Sequence, residues 1–104
     1  MNFVTIRRWA LKQGADEEAL IALVRDETVP AYRAQPGCLS LNLLRVYGSN
    51  SYFAITYWES KAAFDRWAGP EGQGWRDTYR PVLERWLELM AFQEEHDADL
   101  VIVG

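Results

Sequence analysis

The chain has 104 residues, 49% hydrophobic and 25% charged, which is typical of a single globular domain with one hydrophobic core over residues 1–104. Its net charge of -4 at pH 7 is spread along the chain without a basic run, which argues against a nucleic acid partner. Aromatic residues make up 13%, more than so small a core easily buries, so some of them are expected to line a cavity or an interface.

The first predicted element is a β-strand from Phe3 to Leu11, where β-branched and aromatic residues alternate with polar ones. The alternation gives the strand two faces, one with Phe3, Thr5, Arg7 and Trp9 and the other with Val4, Ile6, Arg8 and Ala10.

A first helix is predicted to begin after Gly14, with Asp16 as its N-cap and two glutamates at its positive end. Its apolar positions recur at helical spacing and indicate an amphipathic helix that covers a sheet: Leu20, Leu23, Val24 and Ala31. Pro30 falls within this pattern and predicts a kink or a break near Val29, before a turn at residues 35–37.

Two strand-like runs, residues 38–47 and 52–58, flank a short polar loop and predict an antiparallel hairpin. A second helix is predicted over residues 61–67, with Ala63, Phe64 and Trp67 on one side, and it is expected to end at Gly69-Pro70.

The glycine-flanked residues 72–74 predict a flexible joint, and helical spacing resumes from Trp75 to Met90. Pro81 is expected either to kink this helix or to mark its first turn. The acidic residues 94–97 are interpreted as a solvated connection, and residues 100–103 as a short final strand.

This order of elements fits a ferredoxin-like split βαβ arrangement of the α+β class, with an antiparallel sheet and helices on one face. The other face of such a sheet must meet something else, and a second copy of the chain is the simplest candidate.

Cys38 is the only cysteine, so no disulfide forms within the chain and no Cys/His set is available for a structural zinc. Charged Arg7 and Arg8 come too early for the apolar stretch of a signal peptide, and no segment approaches the ~20 apolar residues that span a bilayer. The chain is therefore expected to be cytoplasmic and to have no membrane partner.

One segment, FAITYWESKAAFDRW at residues 53–67, resembles the signature of the antibiotic biosynthesis monooxygenase family. In that signature a strand ends in Trp-Glu-Ser and the next helix opens with Lys-x-Ala-Phe. The order of predicted elements is similar to that of the family along nearly the whole chain. The resemblance implies a dimeric α/β barrel architecture more directly than it implies a reaction.

Proteins of this family include oxygenases that act on quinols and polyketide aromatics without metal or flavin, haem-degrading enzymes, and members of undefined activity. The resemblance implies that the haem-degrading branch uses an Asn in strand one, a Trp ending the second helix, and an iron-ligating His in the helix that follows. Only Trp67 matches, because Arg7 takes the strand position and residues 75–79 contain no His. Haem degradation is therefore disfavoured, and His96 is interpreted as a solvated residue.

A cofactor-free oxygenase needs a dry pocket for a deprotonated aromatic substrate, with donors or cations that stabilise the anion while oxygen accepts an electron. From residue type and family layout, the expected catalytic residues are Arg7, Trp67 and Tyr79. The expected substrate-binding residues are Thr5, Tyr57, Phe64 and Trp75. No metal or other cofactor is expected, and the expected partners are a small aromatic substrate, molecular oxygen and a second copy of the chain.

The expected site residues also have purely structural interpretations. Arg7 also suits a surface or dimer-interface position, Trp67 suits the core, and Tyr79 belongs to a helical aromatic stripe that suits packing. Tyr57 and Trp58 lie on opposite faces of their strand, so at least one of them is expected to meet the dimer side.

The function therefore has two candidates: a cofactor-independent monooxygenase for a small electron-rich aromatic or quinol, and a non-catalytic dimer that binds a small apolar metabolite in the same cleft. Paired carboxylates, a nucleophile elbow, a phosphate loop and metal-spaced ligands do not occur in the sequence. Their absence argues against hydrolases, kinases and metalloenzymes.

Overall fold

The computed structural model describes residues 1–104. Its four strands form one antiparallel sheet in the order β2-β3-β1-β4: β1 (Phe3–Leu11), β2 (Cys38–Arg45), β3 (Ser51–Trp58) and β4 (Met90–Asp99). Four helices complete the chain: α1 (Glu17–Leu23), α2 (Val29–Arg33), α3 (Lys61–Ala68) and α4 (Gln73–Leu89). The predicted ferredoxin-like α+β fold is confirmed.

The first helical segment runs without a break from α1 to α2. Asp16 caps α1 as expected, since its side chain accepts a hydrogen bond from the backbone N–H of Glu18 at 3.0 Å. Between the two helices, residues 24–28 form a π-helical turn. Pro30 has no N–H to donate, and its ring crowds the carbonyl four residues earlier. The wider π turn relieves this crowding, so the irregularity predicted near Val29 is present as a π turn and the helix continues to Arg33.

The hairpin of β2 and β3 carries the second helix directly after it. α3 begins at Lys61, where Ser60 caps it by accepting from the backbone N–H of Ala63 at 3.1 Å. Gly37, before β2, has φ +84°, and a Cβ there would lie 2.5 Å from the Cβ of Ala63. Only glycine fits, because this turn packs directly on α3.

The C-terminal third of the chain differs from the prediction at residues 72–74 and at the last strand. Residues 72–74 are helical, since a 3₁₀ turn at Pro70–Gly72 leads straight into α4. Of the two positions predicted for Pro81, the structure has the one within the helix, because Pro81 lies inside α4. The last strand is Met90–Asp99, whereas residues 100–103 have no regular secondary structure.

Ion pairs across the sheet explain why an acidic stretch forms β4. It pairs with β1 over almost its whole length, and its carboxylates meet two β1 cations: Glu95 lies 3.2 Å from Arg7, and Glu94 lies 3.6 Å from Arg8. His96 is thus a strand residue with an exposed side chain rather than part of a solvated connection.

The helices pack on the sheet face that carries Thr5, Arg7 and Trp9. Two groups of buried side chains lie between the layers. One, mostly between α1, α4 and the sheet, contains Leu20, Leu23, Val24, Tyr52, Trp86 and Met90. The other, beneath α3, contains Phe3, Cys38, Trp58 and Ala63.

No helix combines the length and the apolar character that crossing a bilayer requires.

Candidate active site

A cavity of about 130 Å³ lies between the helices and the sheet, and most of its lining is hydrophobic. Its sheet wall is formed by side chains of β1, β2 and β3: Thr5, Arg7, Trp9, Leu41, Leu43, Ala54, Thr56 and Trp58. Its helix wall is formed by side chains from the helical segments: Val24, Thr28, Tyr32, Phe64, Trp67, Tyr79, Leu83 and Trp86. A cavity of this size accommodates a single aromatic ring, since a cavity of about 150 Å³ in another protein binds benzene.

Three buried side chains form a hydrogen-bonded chain on the sheet wall. The indole Nε1 of Trp58 donates to Thr56 Oγ1 at 2.9 Å, and Thr56 Oγ1 is hydrogen-bonded to Thr5 Oγ1. Thr5 and Thr56 are direct cross-strand partners, so strand register brings together hydroxyls 51 residues apart in sequence. All three side chains are less than a tenth exposed.

Arg7 also lines the sheet wall, but most of its charge is compensated. Its Nε lies 3.2 Å from Glu95, and its Nη1 donates to Asp97 at 2.8 Å and to the carbonyl of His96 at 3.1 Å. The Nη2 group makes no hydrogen bond within the chain. Arg7 therefore keeps one donor edge without a partner in the chain and contributes little net positive charge to the cavity.

Trp67 is the last aromatic residue of α3 and stands against the sheet-wall indole of Trp58, with ring centroids 5.6 Å apart. Its backbone carbonyl accepts a hydrogen bond from Nη1 of Arg76, which also donates to the carbonyl of Gly69 at 2.9 Å. A Cβ on Gly72 would collide with the same Trp67 carbonyl. The end of α3 is thus contacted by the Arg76 side chain and by the backbone at Gly72.

The indole Nε1 of Trp67 is buried and has no hydrogen-bond partner. A buried donor without an acceptor costs roughly 1–3 kcal/mol, so such groups are rare and call for an explanation. In this position, in the lining of an aromatic cavity, the missing acceptor fits an oxygen atom of a bound ligand.

Two tyrosines extend the helix wall. Tyr79 is hydrogen-bonded through its hydroxyl to Thr28 Oγ1 at 3.2 Å, whereas the hydroxyl of Tyr32 has no hydrogen bond within the chain. Burial raises the pKa of Tyr79 above its usual value, and burial raises that of Tyr32 more strongly, with a further contribution from the neighbouring Tyr79. Both phenols are consequently neutral at pH 7 and act as hydrogen-bond donors, not as bases.

Five of the seven expected site residues come together around this cavity: Thr5, Arg7, Phe64, Trp67 and Tyr79. Trp75 is adjacent but outside the lining, stacked on the ring of Tyr79 with centroids 4.8 Å apart. Tyr57 lies on the opposite face of β3, away from the helices and apart from the other six.

The cavity lining also contains three polar residues that were not predicted from the sequence: Thr28, Tyr32 and Thr56. A signal for two of them was present, because Val24, Thr28 and Tyr32 recur every four residues and therefore share one helix face. The break expected near Val29 concealed this spacing. Thr56 had its signal in strand alternation, which places it on the same face as Trp58.

The polar groups of the cavity have more hydrogens to donate than acceptors to receive them. Unused donors are the Trp67 indole, the Tyr32 hydroxyl and Arg7 Nη2, and each of the two hydroxyl pairs retains one further proton. These donors suit a ligand that supplies hydrogen-bond acceptors, and the apolar lining suits a flat ring. A flat apolar ring that carries acceptor oxygens, above all an oxyanion, fits both.

No three side chains of the His, Cys, Asp and Glu types come close enough together to hold a metal ion. Haem also fits these residues poorly. The cavity lining contains no histidine or cysteine, its volume is about 130 Å³, and the one histidine, His96, lies on an exposed strand. Burial also raises the pKa of the nearby Cys38 thiol, which keeps it neutral.

Comparison with known proteins places these features in a family. The family model described as "Antibiotic biosynthesis monooxygenase" matches residues 2–73, which include all of β1 through α3. A haem oxygenase (mycobilin-producing) from Mycobacterium tuberculosis is 50% identical over 42 residues, which are 38% of this chain. The matched segment spans only 40% of that relative's length.

Solved structures cover nearly the whole chain. A mutant of SnoaB, a cofactor-independent oxygenase from Streptomyces nogalater, is 25% identical with a TM-score of 0.73, over 98% of this chain and 95% of that one. The haem degrader MhuD from Mycobacterium tuberculosis, with two haems bound in its active site, is also 25% identical, with a TM-score of 0.64, over 98% of this chain and 99% of that one. The fold is therefore shared by proteins with different reactions.

Proposed function

We propose that this chain, which belongs to the antibiotic biosynthesis monooxygenase family, oxidises a small electron-rich aromatic or quinol in the cavity between helices and sheet without a resident cofactor. In such a reaction the deprotonated substrate supplies the electrons. One oxygen atom of O₂ replaces two hydrogens of the substrate, and these leave with the other oxygen atom as water. The substrate is thereby oxidised by four electrons to a quinone, so no external reductant is needed. The protein contributes placement, exclusion of water and stabilisation of the substrate anion.

The buried, unpartnered indole N–H of Trp67 is the observation that carries this proposal. In an apolar cavity a hydrogen bond to an oxyanion is stronger than in water, because the surroundings screen the charge weakly. We assign to Trp67 donation to the substrate oxyanion and to Phe64, whose ring lies 5.6 Å from that of Trp67, an apolar wall.

Arg7 and Tyr79 have supporting roles in this proposal. Arg7, paired with Glu95 and Asp97, offers its Nη2 edge to a substrate oxygen rather than a full positive charge. Tyr79, kept neutral by burial, holds the Thr28 hydroxyl at the helix wall. Trp75 supports Tyr79 by stacking and makes no direct contact with the cavity.

Oxygen uptake tests the proposal. Purified protein, freed of metals by a chelator, is mixed with a panel of hydroquinones and anthrones, and O₂ consumption and product mass are recorded. We expect O₂ uptake with the incorporation of one oxygen atom from labelled O₂ into the product. Binding of panel members without any O₂ uptake would support the alternative of a non-catalytic module that binds a small apolar metabolite.

Haem degradation is the second candidate, favoured by the 50% identical segment of the mycobilin-producing haem oxygenase and by the likeness to MhuD. The cavity as it stands opposes it, since it is small and its lining offers no histidine. Titration with haem distinguishes the two functions. A stoichiometric Soret shift followed by loss of the Soret band with a reductant would favour haem degradation over quinol oxidation.

We also propose that two copies of the chain pair through the uncovered face of the sheet. That face carries Ile6, Phe53, Ile55 and Tyr57, all partly exposed in the single chain, so it offers an apolar patch across β1 and β3. Arg8 lies on the same face, over the ring of Phe53. Association of two such faces removes this surface from water.

Replacing Ile55 with Glu tests the pairing, because it adds a charge to this face without touching the cavity. Sedimentation is expected to show a dimer for the natural chain and a monomer for Ile55→Glu, while far-ultraviolet circular dichroism stays unchanged. Glu18→Arg, on the exposed side of α1, is the control and should remain dimeric. A natural chain that sediments as a monomer at micromolar concentration would refute the pairing.

A further inference from the structure

Three donor groups on the sheet wall share only two hydrogen bonds. An indole N–H only donates, so Thr56 Oγ1 must accept from Trp58. Between Thr56 and Thr5 one hydroxyl donates and the other accepts. No other hydrogen bond involves either hydroxyl, so one of the two hydroxyl protons has no acceptor in the chain.

The direction of the hydrogen bond between Thr56 and Thr5 decides which of the two hydroxyl protons is free. A hydroxyl that already accepts a hydrogen bond becomes a better donor, because successive hydrogen bonds polarise one another. Thr56, which accepts from Trp58, therefore donates to Thr5, and the proton of Thr5 remains available. Thr5 lines the cavity and is buried, so a ligand in the cavity can supply the acceptor that the chain does not.

We propose that Thr5 donates a hydrogen bond to the oxyanion of the substrate, and that Thr56 and Trp58 are positioning residues that orient the Thr5 hydroxyl. This inference rests on the proposed function, since it specifies how the cavity binds an ionised aromatic. Thr5 touches the substrate, whereas Thr56 and Trp58 act through it.

Charge compensation at Arg7 explains why neutral donors are needed. Arg7 is the only cation in the cavity lining, and two carboxylates already pair with it, at 3.2 Å and 2.8 Å. A substrate anion near this group of one cation and two anions gains little from their combined charge. Fixed dipoles, from the hydroxyl chain on one wall and the Trp67 indole on the other, stabilise an oxyanion without adding a net charge to the site.

Binding of para-nitrophenol and its methyl ether, para-nitroanisole, tests the assignment without requiring turnover. The two probes share a ring, but only the phenol ionises, and its bound phenolate is measured by its visible absorbance. For Thr5→Val we expect the affinity for the phenolate to fall about tenfold, since a hydrogen bond to a charged group is lost, while the affinity for the ether stays within about twofold. The apparent pKa of the bound phenol should rise accordingly.

Two further variants separate positioning from contact. Thr5→Ser keeps the hydroxyl and should restore the preference for the phenolate. Thr56→Val removes the orienting partner and should weaken phenolate binding less than Thr5→Val does, with the ether again unaffected.

The exposed Thr78 on α4 provides a matched control, and Thr78→Val should leave both affinities unchanged. Equal losses for phenolate and ether in folded Thr5→Val, or no loss in either, would overturn the proposal, as would failure of Thr5→Ser to recover. A natural chain that binds neither probe would also overturn it. Phenolate selectivity that depends on Thr5, in a protein that consumes no O₂ with any panel member, would uphold the inference and refute the proposed reaction.

Discussion

The sheet wall and the helix wall of the cavity each contribute a buried tryptophan, but the two indoles are satisfied differently. Trp58, on the sheet wall, is fully buried and donates to Thr56. Trp67, on the helix wall, is buried without an acceptor, although the two rings are only 5.6 Å apart. The indole on the sheet wall therefore has its hydrogen bond within the chain, whereas the indole on the helix wall has none.

This contrast shows how one aromatic cluster serves stability and binding together. The sheet indole stabilises the fold through its own hydrogen bond, whereas the helix indole costs folding free energy in the empty protein. Replacing each tryptophan with phenylalanine is thus expected to change a different quantity: turnover for Trp67 and the free energy of unfolding for Trp58.

The largest expected effect is on turnover, from Trp67→Phe. Loss of one donor to a developing oxyanion typically lowers the rate about 100-fold, so we expect kcat/KM for the best panel substrate to fall by about that factor. The free energy of unfolding should stay within about 1 kcal/mol, because removing an unsatisfied donor offsets the lost indole volume. Oxygen uptake and urea unfolding measure the two quantities. Trp75→Phe, outside the lining, is the matched control and should keep kcat/KM within a few-fold.

For Trp58→Phe the main expected effect is on the free energy of unfolding. It removes a satisfied hydrogen bond and indole volume from a site with no solvent exposure, so we expect a loss of roughly 2–3 kcal/mol in the free energy of unfolding. Urea unfolding of this variant beside Trp67→Phe provides the measurement. If both variants lost the same stability, the contrast between the two walls would be wrong.

A smaller effect is expected from Arg76→Met, which acts on Trp67 from outside the cavity. Arg76 donates to the backbone carbonyls of Trp67 and Gly69 and so fixes the end of α3. Without these bonds the indole is less well placed, and we expect kcat/KM to fall about tenfold, roughly 1.4 kcal/mol. Arg80→Met is the control, because Arg80 pairs only with the exposed Asp77. Equal activity of the two variants would contradict the role of Arg76.

The smallest effect at neutral pH is expected from Tyr32→Phe, which should appear mainly in alkali. Burial raises the pKa of Tyr32, so the neutral phenol stabilises the folded state fully below the unfolded-state value of about 10. That contribution is lost as the pH rises above about 10. Melting temperatures recorded from pH 7 to pH 11 should therefore fall less steeply for Tyr32→Phe than for the natural chain. Parallel curves would show that Tyr32 titrates normally in the folded protein.

Much of the fold follows from local patterns. The bounds of β1 are as predicted, and the start of α3 after Ser60 follows from a capping residue placed directly before a helix-forming run. The last strand was misplaced because its sequence is acidic and has no strand propensity of its own. Pairing with β1 and the cations Arg7 and Arg8 outweighs that low propensity.

The candidate site was only partly predictable. Residue type and family layout led to Trp67, Arg7 and Tyr79, which do line the cavity. Alternation indicated that Tyr57 and Trp58 face opposite sides, but which of them faces the helices depends on where the helices pack. Packing placed Trp58 inside and Tyr57 outside.

By itself the sequence determined the periodicities, the caps and the family signature at residues 53–67, because these are short-range properties of neighbouring residues. The tertiary structure alone decided which polar atoms have partners. Thr5 meets Thr56, and Thr28 meets Tyr79, across 51 residues of chain in each case. Whether a buried donor such as the Trp67 indole is satisfied depends on contacts between distant segments, and no local pattern in the chain specifies them.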